Sequence, residues 1–282
     1  MTASAERFEP ADPVPGPSAR SGASRWQGLL TESEPGQHIA QLYTERDFLA
    51  RGVARFVSEG LRRGDGVVVI ATPLHWRAAA RELYRASVPI DDAESTGRLV
   101  VRDAEQILST FMRDGLPDRR RFREAIGGLL APVRATRAAR VRAFGEMVDI
   151  LRHGNLAATW RLEQLWNEVL GEHGIALLCG YSLDVFDARN YRGLVQDVGV
   201  LHSHLIPVDD YARFDRAVAQ AYQEVFGGGA DADDLRQTFV EHYERPAAMP
   251  DAEAAVLALR DLVPGTVDAV LRSARRHYAS GT

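Results

Sequence analysis

The sequence contains no lysine; all 34 of its Lys and Arg residues are arginine. Two chemistries are thereby excluded. A phosphate loop of the Walker A type needs a lysine on the phosphates, and Schiff-base catalysis needs a lysine amine. Cysteine is nearly absent too. The single thiol, Cys179, precludes an internal disulfide and any centre built from several thiolates. No apolar run approaches the roughly 20 residues of a membrane span, and the opening residues lack the basic-then-apolar order of a secretion signal, so a cytoplasmic protein is expected. The Gly-x-Ser-x-Gly elbow, the His-Glu-x-x-His helix and the dinucleotide glycine fingerprint are all missing. A net charge of −5 gives no global electrostatic case for nucleic acid or anionic lipid.

What is present is a repeated alternation of apolar strands and amphipathic helices. Residues 1–34 are rich in Pro, Ala, Ser and Gly and read as a disordered leader, in which Trp26, Leu29 and Leu30 either dock locally or belong to a loose tail. Residues 38–43 read as a strand, with Thr44 capping the helix that follows. Residues 67–71 form the clearest buried strand. Residues 72–75 are a turn before a helix over 76–86, and residues 98–102 are a further strand. Residues 141–147, 155–170 and 175–181 then describe strand, helix and strand, a parallel β-α-β unit with an apolar second strand. After 208 only helices follow, broken by Gly227, Gly228 and Gly229 and by Pro250 and Pro264. The pattern predicts an α/β fold, with a mostly parallel central sheet covered by helices on both faces and a C-terminal all-helical extension over 209–282.

Two carboxylates fall where this fold would bury them. Glu146 closes a strand immediately after Gly145, and Glu163 lies on the helix stripe Leu156, Trp160, Glu163, Asn167 and Leu170. An unpaired buried carboxylate is costly, so each needs a partner or a wet cleft, and that cleft belongs at the carboxyl edge of the strands. Glu146, the turn with Thr72, His75 and Trp76, and Tyr181 all fall on that edge. For Glu146 the structural alternative is an ion pair with Arg142 or Arg152; for Glu163 it is a polar contact to a neighbouring strand. The 72–76 turn lacks the glycines that would cradle a phosphate, and its proline removes a donor. His202 and His204, alternating as strand residues, share one side; with Cys179 or His38 they could ligate a metal, but so short a spacing reads first as hydrogen-bonding histidine. Cys179 reads as an inert core residue, and no metal or cofactor is expected.

Several segments taken in order resemble a known family: His38 to Tyr43, Gly64-Asp65 before a strand, Gly97-Arg98-Leu99 before Asp103-Ala104, Phe144-Gly145-Glu146-Met147, Leu162 to Asn167, Leu178 to Tyr181, and His202. Over roughly 35–208 they resemble the MEDS domain, the sensory domain of methanogen and methylotroph regulators of the DcmR type. The resemblance implies a core similar to that of RecA and KaiC, without its phosphate loop. It also implies a signal-input role upstream of a histidine kinase, a sigma-factor regulator or a transcription regulator. The chain carries no kinase or recognisable DNA-binding module, so its output would pass through the helical extension or a partner.

A non-catalytic sensor is therefore expected, binding a small molecule with Thr72, His75, Trp76, Glu146, Glu163 and Tyr181. Two alternatives stay open: an enzyme with Glu146 as general base and His75 or His204 assisting, and an inactive nucleotide-binding relic. Arg272, Arg275 and Arg276 form a C-terminal basic cluster, but acidic neighbours make it a solvated helix face rather than a nucleic-acid site.

Overall fold

The computed structural model describes residues 25–138, 140–243 and 249–281. Most of the expected leader, residues 1–24, lies outside them. Its last part does not read as a loose tail. Arg25–Thr31 forms a helix, α1, that buries Trp26 and Leu30 and fixes the Trp26 indole by a 2.7 Å hydrogen bond to the Asp209 carbonyl.

Six strands build the central sheet: β1 (His38–Leu42), β2 (Gly66–Ala71), β3 (Leu99–Asp103), β6 (Val141–Gly145), β7 (Ala176–Tyr181) and β8 (His204–Ile206). Every pairing between them is parallel, in the order β3-β2-β6-β7-β1-β8. Strands such as β2, with sequence Gly-Val-Val-Val-Ile-Ala and every residue buried, are β-branched and apolar on both faces, as a sheet covered on both sides requires. A two-strand hairpin of β4 (Met112–Arg113) and β5 (Leu116–Pro117) stands apart.

The helices lie in two layers. On one face are α1, α2 (Arg46–Arg62), α3 (Pro73–Arg85) and the short α4 (Ile90–Ser95); on the other are α5 (Ala104–Phe111), α6 (Arg119–Ala135), α7 (Met147–Arg152), α8 (Leu156–His173) and α9 (Leu194–Leu201). Glycine permits close approach where the layers meet. A Cβ on Gly52 of α2 would lie 2.1 Å from Gln41 Oε1 in β1, and one on Gly66 of β2 would lie 1.9 Å from Val133 Cγ1 in α6. Local signals set the helix ends. The Asn155 side chain caps α8 by accepting from the Ala158 amide at 3.0 Å, and Gly174 ends it in the left-handed region, at φ 58°.

The structure shifts several boundaries. Residues 73–75 are the first turn of α3 rather than a loop before it: Thr72 accepts from the His75 amide as N-cap, and Pro73 occupies the position where a missing N–H is harmless. Thr44 does not cap α2; the N-cap is Glu45, with no side-chain cap hydrogen bond. Strand β6 ends at Gly145, so Glu146 opens α7.

The expected helical extension is present as α10 (Tyr211–Phe226), α11 (Ala230–His242), α12 (Asp251–Leu262) and α13 (Val267–Ser280). Phe186, from the segment after β7, meets Phe214 of α10 and Tyr278 of α13 edge-on or tilted, at centroid separations of 5.6 and 5.3 Å. The hydrophobic core runs continuously from the sheet into these helices. Among the described residues no helix is long and apolar enough to cross a membrane.

Candidate functional site

The carboxyl edge of the sheet reverses the chain's direction twice. Strand β2 leads outward to β3, while its neighbour β6 leads the other way to β7. Strand β1 leads back to β2, while its neighbour β7 leads across it to β8. Crevices that bind ligands form at such reversals.

At the first reversal, Glu146 accepts from the Thr72 backbone amide through one carboxylate oxygen and contacts His75 Nδ1 through the other. The Tyr43 ring meets His75 edge-on, centroids 5.7 Å apart. Neither expected arginine partner is there. Arg142 sits at the amino end of β6, away from the carboxyl edge, where its Nε donates to Asp65 at 2.7 Å and its terminal nitrogens donate to the Leu30 and Thr31 carbonyls. Arg152 binds Asp149 and Ser182. Trp76 is half-buried against the core beside this group.

Glu163 and Tyr181 belong to a second, deeper cluster under β1 and β7. The Tyr181 hydroxyl donates to Glu163 Oε1. His38 Nε2 lies 3.3 Å from Glu163 Oε2 and 3.3 Å from Cys179 Sγ, and His202 Nε2 lies 3.6 Å from Glu163 Oε1. The two imidazoles overlap at a centroid separation of 3.9 Å. All these side chains are sealed from solvent, and burial governs their protonation: it pushes the Glu163 carboxyl up to about 8, the Cys179 thiol and Tyr181 hydroxyl well above their ordinary values, His38 down to about 4, and His202 well below 6.5.

His202 and His204 do not act as a pair. His202 follows α9 outside the strand and turns inward, while His204 opens β8 and meets Ser203 Oγ at 2.8 Å. The packed face of α8 also differs from the expected stripe: Leu162, Glu163, Trp166, Val169 and Leu170 are buried, and Leu156 is half exposed. The group that could hold a metal is therefore His38, Glu163, Cys179 and His202, whose ligand atoms all lie within 4.8 Å of one another.

The second reversal carries a cavity of about 170 Å³ at the carboxyl ends of β1, β7 and β8. Leu42, Phe48, Leu183, Val185 and Phe186 give it an apolar lining, and Tyr278 of α13 forms part of its wall. Of the charged residues in its lining, Arg51 pairs with Asp209 and Asp184 with Arg275 just outside it, both at 2.6 Å, while Glu45 is exposed to solvent. None of the six residues singled out in the sequence lines it. Its signal in the sequence is modest: the residues immediately after each buried strand, where a parallel sheet places its crevice. The C-terminal arginines are engaged with acids, Arg272 with Asp268, Arg275 with Asp184 and Arg276 with Glu224.

The chain is thus a helix-covered parallel α/β protein with an edge cavity and buried polar clusters, and the turn after β2 is not a glycine-lined phosphate loop. Residues 37–197 match the family of the methanogen/methylotroph, DcmR sensory domain, MEDS, and with more than half of its length matched the chain belongs to that family. No curated protein matches the chain. His202 and the helices α10 to α13 lie beyond the matched segment.

Proposed function

We propose that this chain is a non-catalytic cytoplasmic sensor that binds a small, largely apolar molecule in the cavity at the carboxyl ends of β1, β7 and β8, and relays its occupancy to a regulatory protein partner through the C-terminal helices. The observation that carries this reading is the divided wall: the cavity is lined by the ends of sheet strands and by Tyr278 of α13. A molecule lodged there touches the family's sensory fold and the helical extension at once. It shifts the packing of α13 only to the extent that it binds one arrangement better than another. The volume suits a compact ligand, since an apolar cavity of about 150 Å³ is enough to take up benzene.

The same geometry disfavours catalysis. Both oxygens of Glu146 are engaged, by the Thr72 amide and by His75, and the Asp184 and Asp209 carboxylates at the cavity are held by Arg275 and Arg51. The test is a thermal-shift screen of the full chain against small apolar and carbonyl compounds, repeated on Val185→Trp, Tyr278→Ala and Glu146→Gln. The expected result is a saturable rise in melting temperature that is lost in the first two variants and kept in the third. Stabilisation that survives in Val185→Trp, or chemical turnover of a compound that Glu146→Gln abolishes, would overturn the proposal. A rise in melting temperature with millimolar ATP or GTP would favour a nucleotide-binding relic.

A further inference from the structure

The buried cluster beneath β1 and β7 has more lone pairs than protons to satisfy them. The Asn167 amide nitrogen donates to the Leu201 carbonyl at 3.2 Å, so its oxygen must accept, and the His38 Nδ1 that lies 2.9 Å from that oxygen carries the proton. His202 Nδ1 lies 2.7 Å from the Val198 carbonyl, which can only accept, so it too is protonated. Both Nε2 atoms therefore present lone pairs, and both face the Glu163 carboxylate beside the Cys179 sulfur. Glu163 Oε2 and His202 Nε2 are fully buried without a hydrogen-bond partner. A proton on Glu163 could serve His38 Nε2 at 3.3 Å, but His202 Nε2, at 3.6 Å, would remain unpaired.

We propose that His38 Nε2, Glu163, Cys179 Sγ and His202 Nε2 form a closed four-coordinate site for a divalent transition ion, with Zn²⁺ the best match. Ligand bonds of about 2.0–2.3 Å set the edges of a tetrahedron at roughly 3.5 Å. His38 Nε2 lies 3.3 Å from Cys179 Sγ and 3.3 Å from Glu163 Oε2, close to that spacing, and His202 Nε2 lies 3.6 Å from the other carboxylate oxygen. The four ligand atoms as a set lie within 4.8 Å, so a small inward shift would close the tetrahedron. A nitrogen, sulfur and oxygen set suits a borderline ion of this kind. The charge closes as well: one thiolate and one carboxylate neutralise a divalent cation in a core where neither acid has an arginine partner among the described residues. On binding, the sulfur–metal and oxygen–metal bonds form as the thiol proton and the carboxyl proton of Glu163 leave to solvent. Asn167 and the Val198 carbonyl orient the two imidazoles by holding their other nitrogens, the usual support for metal-bound histidine. The four ligands come from β1, α8, β7 and the residue after α9, so the ion would clamp α9 to the sheet.

The experiment uses the full chain, purified under reducing conditions, stripped with a chelator and titrated with Co²⁺ and then Zn²⁺. The expected result is one equivalent of Co²⁺ with tetrahedral visible bands and a sulfur-to-cobalt charge-transfer band in the near ultraviolet, displaced stoichiometrically by Zn²⁺. Cys179→Ala should lose the charge-transfer band. Asn167→Ala, at an exposed position that leaves all four ligands in place, should bind about 10–100-fold more weakly. Absence of the charge-transfer band in the wild-type chain would overturn the site. So would metal uptake that is unchanged in Cys179→Ala and His202→Ala, which would place the ion on surface groups.

Discussion

Replacing Glu253 with glutamine should change the pH dependence of stability far more than stability at acid pH. Glu253 sits on α12 wholly inside the C-terminal helices, and neither of its carboxylate oxygens has a hydrogen-bond partner of good geometry. Burial pushes its carboxyl up from 4.5 to about 8; the facing Tyr191 hydroxyl acts weakly the other way. The folded state thus holds this proton more tightly than the unfolded chain. The contribution of the group is greatest below about 4.5 and is lost as pH climbs through about 8. Each unit of pKa difference corresponds to about 1.4 kcal/mol, so between those limits the ionising carboxyl withdraws up to roughly 5 kcal/mol from folding. Glutamine keeps the shape and the buried polar group but has no proton to lose. Urea unfolding of wild type and Glu253→Gln at several pH values should give nearly equal free energies near pH 5. The variant's advantage should then grow by about 1 kcal/mol or more per pH unit towards pH 8. A difference that stays flat across that range would refute the reasoning, because the carboxyl would then have found a partner or water in the folded state.

Two further outcomes follow from packing. Arg142→Ala strands the buried Asp65 carboxylate and the terminal carbonyls of α1, and should lower unfolding free energy by about 3–5 kcal/mol; a loss below about 1 kcal/mol in urea titration would show that water replaces the guanidinium. Gly52→Ala drives a methyl group into Gln41 Oε1 and should destabilise by roughly 1–3 kcal/mol, and most of that loss should return in the double variant with Gln41→Ala.

The sheet was legible in the sequence because its inner strands are buried on both faces. The run of valines in β2 and the β6-α8-β7 unit needed no tertiary information, since the first is apolar on both sides and the second sets a long helix between two short, largely apolar strands. Short elements left no such trace. Helices α4 and α7, each six residues long, and the β4–β5 hairpin fall below the length at which a period can be read. The partner of Glu146 was hidden for a different reason. In a chain whose only fixed cations are arginines an arginine partner is the natural expectation, yet the first turn of α3 brings His75 over the carboxylate, while Arg142, at the amino end of β6, is bound to Asp65. The deep cluster and the cavity draw their walls from segments remote in sequence, with Tyr278 closing a space opened by Leu42 and Leu183. Local spacing carries no record of such meetings.

The order of the sheet has a bearing on how the chain is made. Strand β1 is the first to leave the ribosome, yet both of its neighbours, β7 and β8, come last. Throughout synthesis of the intervening residues its five-residue segment, fully buried in the finished protein, waits with both edges open. A nascent chain of this design depends on late, long-range pairing, which slows folding and exposes a template for wrong partners. Chaperone dependence and aggregation of truncated products are the expected signature of that late closure.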